Sequence, residues 1–249
     1  MNRICVFLVL LLLFHKVLIA QESDTLKRVF DAPKYNFFNR TILVFNEYLD
    51  TDSGSYNTTD IRLLLPVGNK AWNLRLDAPI VSTNSSDNNK TGLGDLAASI
   101  AYIPVLNNHN GLCVRAKVVG NTATNSAFGS GKWIFVPTLF YGHFFDDNKK
   151  WLLISLLEYQ VSFAGDTNRN DVTTTIFENT LYFNFSKNWL AADVAFRYNA
   201  TIEGFQNNAY LELGRKLSKF NWVYIHPSVG FGKNRSYNAG IEVGILAFF

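Results

Sequence analysis

The chain has 249 residues, a formal net charge of +3, and 15% aromatic but only 17% charged residues. The charge is too small to point to nucleic acid, and the charged share falls well below the roughly 25% usual for soluble domains. Of the two cysteines, Cys5 lies in the leader described next, so Cys113 has no intramolecular partner and no disulfide framework holds the fold.

Arg3 is followed by an unbroken apolar run from Ile4 to Phe14, then by "HKVLIA" and the polar "QESD". That run is too short for a membrane helix, which needs roughly 20 residues. Its length and flanks are those of a secretory signal peptide over residues 1–20, with cleavage expected after Ala20. Residues 21–39 are expected to form an N-terminal segment, either periplasmic or covering a lumen, and residues 40–249 a single barrel domain.

Past residue 40 the hydrophobic pattern has a period of two. In "WNLRLDAPI", Trp72, Leu74, Leu76, Ala78 and Ile80 oppose Asn73, Arg75 and Asp77. In "LAADVAFRYNA", Leu190, Ala192, Val194, Phe196 and Tyr198 oppose Asp193, Ala195, Arg197 and Asn199. The pattern predicts twelve strands, at 41–49, 60–66, 71–81, 92–105, 111–120, 132–145, 151–163, 173–185, 189–202, 208–217, 220–231 and 238–249. Most reach about ten residues, the length of a tilted membrane crossing. Stretches such as "DTDSGSYNTTD", "STNSSDNNKT" and "NTATNSAFGSG" read as long loops, and "VGNK", "DDNKK", "SKN" and "SK" as tight turns. Long loops on one rim and short turns on the other predict an all-β, antiparallel transmembrane barrel of about twelve strands in a Gram-negative bacterial outer membrane.

Aromatic residues cluster at strand ends, as lipid-interface girdles require. Trp72, Tyr102, Phe144, Phe145, Trp151, Phe183, Phe185, Trp189, Phe220 and Phe249 fall at the short-turn side, and Trp133, Phe163 and Phe231 at the long-loop side. The polar parity then supplies the expected lumen lining: Arg62, Arg75, Asp77, Asp95, Arg115, Lys117, Glu158, Gln160, Glu178, Asp193, Arg197, Glu212, His226 and Glu242. Both signs occur and neither dominates, which points to an ion-pair lattice rather than a single-sign selectivity ring. Both parities of "WIFVPTLFYGHFF" are apolar. Two readings stay open there: an apolar inner patch, with Trp133 and Tyr159 along a passage, or a strand covered from inside by residues 21–39.

The stretch "TGLGDLAASIAYIP", with Gly92-Leu93-Gly94-Asp95-Leu96 opening a long strand, resembles a signature of outer-membrane barrels labelled transporters of the meta-pathway of phenol degradation. "IRLLLPVGN" and "WLLISLLEYQVSFAGD" are similar in placement to strands of that family. The resemblance implies passage of small solutes, hydrophobic or aromatic ones among them, across the outer membrane. Read from the residues alone, "GLGD" is either a strongly twisted strand start with Asp95 pointing inward at the rim or a tight turn with a structural carboxylate.

A transporter or narrow porin-like channel is therefore the leading expectation, with outer-membrane lipid and a small solute as partners and neither cofactor nor metal. An enzyme is the alternative: His226, Ser228 and Glu242 share a face near the C-terminus and supply the residue types of esterase chemistry. The third possibility is a purely structural barrel. "GIEVGILAFF" reads as the closing strand, and its terminal Phe249 resembles the assembly signal read by the barrel-insertion machinery.

Overall fold

The computed structural model describes residues 37–68, 71–85 and 88–249. The leader at 1–20 and all but the last three residues of the 21–39 segment lie outside the described residues. Twelve antiparallel strands form one closed ring. They are β1 (Thr41–Thr51), β2 (Gly54–Val67), β3 (Trp72–Ser85), β4 (two pieces, Asn88–Leu93 and Ala97–Leu106), β5 (Asn110–Val119) and β6 (Lys132–Phe144). The other half comprises β7 (Trp151–Gly165), β8 (Thr173–Phe185), β9 (Asn188–Asn199), β10 (Asn207–Lys216), β11 (Asn221–Phe231) and β12 (Ala239–Phe248). A two-residue strand, Gly204–Phe205, pairs back onto the end of β9. The ring closes where β12 pairs with β1, from Thr41↔Phe248 to Asp50↔Ala239. No edge is left to recruit another chain.

The period-two sequence produces the two faces. Leu74, Leu76, Leu157, Leu190, Leu211, Ile245 and their outward neighbours are exposed, while the residues between them are buried or half-buried. So large an exposed apolar surface is not found on a protein that faces water all round. It forms a belt, with Trp72, Trp151, Phe220 and Phe249 exposed at the short-turn rim and Trp133 and Phe163 at the other.

The structure departs from the sequence reading at several places. The 50–60 and 82–91 stretches, expected as long loops, are mostly strand: β1 and β2 pair out to Thr51↔Gly54, and β3 and β4 out to Ser85↔Asn88. Polar pairs such as Asn46–Asn57 (2.7 Å) and Ser82–Thr91 (2.8 Å) support these extensions. Beyond the apolar belt neither face needs to be hydrophobic, so the ladder continues without the period-two signal. Phe144 and Trp189, expected in the girdle, are each 1% exposed and point into the barrel. Trp133 and Tyr159, expected along a passage, are 40% and 42% exposed and point outward.

At the short-turn end the interior is apolar. Leu43, Ile103, Phe140, Phe144, Leu152, Tyr182, Trp189, Trp222 and Leu246 form one buried cluster with Phe38. Phe37 stands edge-on to Phe140 at 5.7 Å, and its carbonyl accepts from Asn73 Nδ2 at 2.9 Å. The described end of the N-terminal segment thus lies against the inner side of β3 and β6. Gly214 makes room for this packing, since a Cβ there would come within 1.8 Å of the Trp189 indole.

Candidate functional site: the charged interior

Above the apolar cluster, the inward parity of most strands carries charge. Between β2 and β3, Arg62 Nε donates to Asp77 Oδ1 at 2.6 Å, and Arg75 Nε donates to both oxygens of the same carboxylate at 2.9 and 2.8 Å. Arg62 also lies 3.6 Å from Asp60 and stands 5.0 Å over the Phe45 ring. Across β5 to β7, Arg115 donates to Glu158 Oε2 at 3.0 Å. Thr138 reaches the same oxygen at 3.1 Å, and Gln160 donates to Glu158 Oε1 at 2.8 Å. Lys117 follows two residues after Arg115 on the same inward face of β5.

On the opposite side, Thr180 Oγ1 donates to Asp193 Oδ2 at 2.5 Å. Arg197 donates to Asn208 at 2.8 Å and lies 4.0 Å from Glu178. Glu212 accepts from Trp189 Nε1 at 2.6 Å, so the charged layer is tied to the apolar layer below it. Buried carboxylates held in this way avoid the penalty of an unpaired charge in a low-dielectric interior.

The inward charges are segregated around the circumference. Arg62, Arg75, Arg115 and Lys117 lie on β2 to β5, with Asp60 and Asp77 as the acids of that wall. Glu158, Glu178, Asp193, Glu212, Glu242 and Glu47 lie on β7 to β12 and β1, with Arg197 and His226 among them. The sequence reading recorded both signs but not this separation. Next to the acidic wall is a cavity of about 150 Å³, bordered by Glu47, Arg62, Arg197, Tyr210, Glu212, His226 and Glu242.

His226 and Glu242 come together as expected, but Ser228 does not join them as a nucleophile. The imidazole Nδ1 lies 3.4 Å from Glu212 and Nε2 lies 3.6 Å from Glu242. The ring stacks on Tyr210 with centroids 4.4 Å apart, and Tyr224 donates to Glu242 at 2.5 Å. Both ring nitrogens face carboxylates. Ser228 lies further out along β11, where it is hydrogen-bonded with Tyr237.

Asp95 does not line the interior as expected but takes the other role open to it, that of a structural carboxylate. It sits at a one-residue bulge where β4 breaks: Asp77 pairs with Ala97 but Ile80 with Leu93, so the register shifts by one. Its Oδ1 accepts from the backbone N–H groups of Thr122 and Ala123, both at 3.0 Å, and its Oδ2 from Ser130 N at 2.8 Å. The carboxylate therefore organises the 120–131 loop rather than lining the interior. Phe128 from that loop fills the space left by Gly92 and Gly94, where added Cβ atoms would lie 2.6 and 3.1 Å from its nearest atoms. Arg169 holds the loop from the other side through the carbonyls of Gly129 and Ser130.

No family model and no curated protein matches the sequence. Among solved structures, the chain is similar to the COG4313 outer membrane channel from Pseudomonas putida F1, with 12% identity and a TM-score of 0.71 over 93% of this chain and 100% of that one. It is also similar to a NanC porin and a KdgM porin, each 12% identical, with TM-scores of 0.61 and 0.58 over 84% of this chain and 99% of theirs. At that identity the likeness concerns the fold: a closed antiparallel barrel of the outer-membrane type.

Proposed function

We propose that this barrel resides in a bacterial outer membrane and passes small solutes passively through its interior, hydrophobic or aromatic molecules being the class the sequence suggests. The observation that carries the reading is the interior itself, where a basic wall of Arg62, Arg75, Arg115 and Lys117 faces an acidic wall of Glu158, Glu178, Asp193, Glu212 and Glu242. Merely filling a barrel with side chains does not require so many ionised groups, each costly to bury. A transverse separation of charge can instead orient the polar group of a small solute, an aromatic one included, along a narrow path. The fold shared with channels and porins supports the same reading.

A structural, closed barrel is the second reading, favoured by the apolar cluster around Trp189 and Trp222 that fills the short-turn end. Planar-bilayer conductance of the purified protein, together with uptake of an aromatic tracer into proteoliposomes, separates the two. Conductance or uptake above protein-free controls is expected; absence of both would leave the structural barrel. The esterase alternative gains nothing from the geometry, because the His226 nitrogens face Glu212 and Glu242. We also assign the outward alternation of β12, ending at the exposed Phe249, to recognition during barrel assembly. Deleting Phe249 is expected to lower the folded fraction in the membrane, and unchanged insertion would count against that role.

A further inference from the structure

The short-turn mouth carries a feature that the charged interior does not use. Between the turns at 186–187 and 217–220 and the end of β12 lies an open cleft of about 960 Å³. Lys187, Lys216 and Lys219 line it together with the rings of Phe220, Trp222, Phe248 and Phe249. No acidic side chain lines it among the described residues, and the three lysines outnumber the α-carboxylate of Phe249 at its border. The rim around it is also basic: Arg40, Lys149 and Lys150 add to these lysines, against Asp146 and Asp147.

The parity of the strands explains why the two kinds of residue meet. Along β10, Leu211 and Leu213 face outward, so Lys216 falls on the same inward side as Glu212. Its ammonium stands 4.7 Å over the Trp222 ring. A cation held over an aromatic face is fixed in position rather than swinging freely in water. Trp222 in turn packs against Phe248, with centroids 4.8 Å apart and planes at 78°. The mouth thus presents a positioned positive charge beside rings that have apolar surface to offer.

From this we infer that the cleft is a docking site for small monoanions with an apolar body, such as aromatic or short aliphatic carboxylates. The carboxylate sits among Lys187, Lys216 and Lys219, which act as point charges. The body lies on Phe220, Trp222 and Phe248, where leaving water is favourable. A cation of the same shape is repelled by the lysines, and an inorganic anion gains nothing from the rings. The site stands on its own geometry and adds a solute class to the channel reading.

The test uses the full-length barrel in detergent, with 4-fluorobenzoate as probe and ¹⁹F line broadening as readout. Saturable binding is expected, together with at least about fivefold weaker binding in the double variant Lys187→Gln/Lys219→Gln, both lysines lying in exposed turns. Trp222→Leu tests the aromatic lining, and the heat-dependent gel shift of each variant establishes that it has folded. No binding of 4-fluorobenzoate, equal binding of benzylamine or inorganic phosphate, or unchanged binding in the double variant overturns the proposal. Binding lost in nanodiscs containing phosphatidylglycerol but kept in phosphatidylcholine nanodiscs overturns it too, because the cleft would then hold a lipid headgroup. Conductance measured on the same sample keeps the two readings apart. A conducting barrel that binds no 4-fluorobenzoate loses only this site, whereas binding without conductance supports the site and counts against the channel.

Discussion

At the short-turn end, Trp189 is 1% exposed and packs 5.8 Å from Trp222. At mid-height, Glu158 is 7% exposed and is held by Arg115, Thr138 and Gln160. Both regions bury side chains inside the same ring of strands, but by opposite chemistry. In the first, shape decides, and a missing methylene leaves a void that neighbours fill only in part. In the second, pairing decides, and what matters is whether each charge keeps its partner. The difference separates two ways of filling one ring: the apolar end is held by shape, and the charged middle by the pairing of its charges.

The largest effect is expected where the two regions join. Trp189→Ala removes a filled volume and the donor to Glu212, so the loss should fall near the upper end of about 3–5 kcal/mol. The readout is the urea midpoint of the folded gel band. Gly214→Val should act in the same direction, since its Cβ would clash with the same indole. If Trp189→Ala leaves the midpoint in place, the apolar end is not what stabilises the ring. The charged middle should respond to pairing rather than to volume. Arg115→Met strands the buried Glu158 and should cost toward the lower end of about 3–5 kcal/mol, because Thr138 and Gln160 still bind the carboxylate. Adding Glu158→Leu should recover most of that loss. A double variant as unstable as the single one would mean that the pair is valued for packing, and the contrast between the regions would fail.

Much of this was legible in the sequence, for definite reasons. The period of two sorted Leu74 from Arg75 and Leu190 from Ala191, because inside and outside demand different chemistry wherever the belt meets lipid. Outside the belt that demand lapses, and the strand extensions near Tyr56 and Thr83 read as loops. Phe144 and Trp189 were misread because an aromatic at a strand end fits either a girdle or a plugged interior, and only parity separates the two. The separation of charge was readable in principle. In a closed meander, chain order is circumferential order, so Arg62 to Lys117 and Glu158 to Glu242 necessarily occupy different walls. That Asp95 is a structural carboxylate was one of two readings of "GLGD", but its partners were not readable, because Thr122, Ala123 and Ser130 lie 27 to 35 residues away and bind through backbone groups.

That anchor gives a smaller and more local expectation. Asp95→Ala leaves three backbone donors without their carboxylate, a loss of about 1–3 kcal/mol confined to the 120–131 loop. Limited proteolysis from the long-loop side should cut that loop faster, while the urea midpoint of the barrel hardly moves. A global loss instead would make Asp95 part of the ring's own stability.

The smallest effect is expected at the neighbouring loop, as a function of pH. Asp171 lies outside the belt and takes a hydrogen bond from Lys132 at 2.8 Å and one from Ser162 at 3.2 Å. The Lys132 bond, followed by that from Ser162, holds its carboxyl below the usual carboxylate range. A depressed folded value means the contact contributes fully above the unfolded value of about 3.9 and is lost as pH falls through the lower folded one. The carboxylate is exposed, so water screens the pair and the effect is small. Amide exchange of the 166–172 loop should therefore stay flat from neutral pH down to about pH 4 and rise only below it, after correction for intrinsic rates. In Asp171→Asn that acid-dependent rise should vanish. A rise of equal size in the variant would assign the acid sensitivity to other groups, leaving the Lys132 contact as geometry without consequence for the loop.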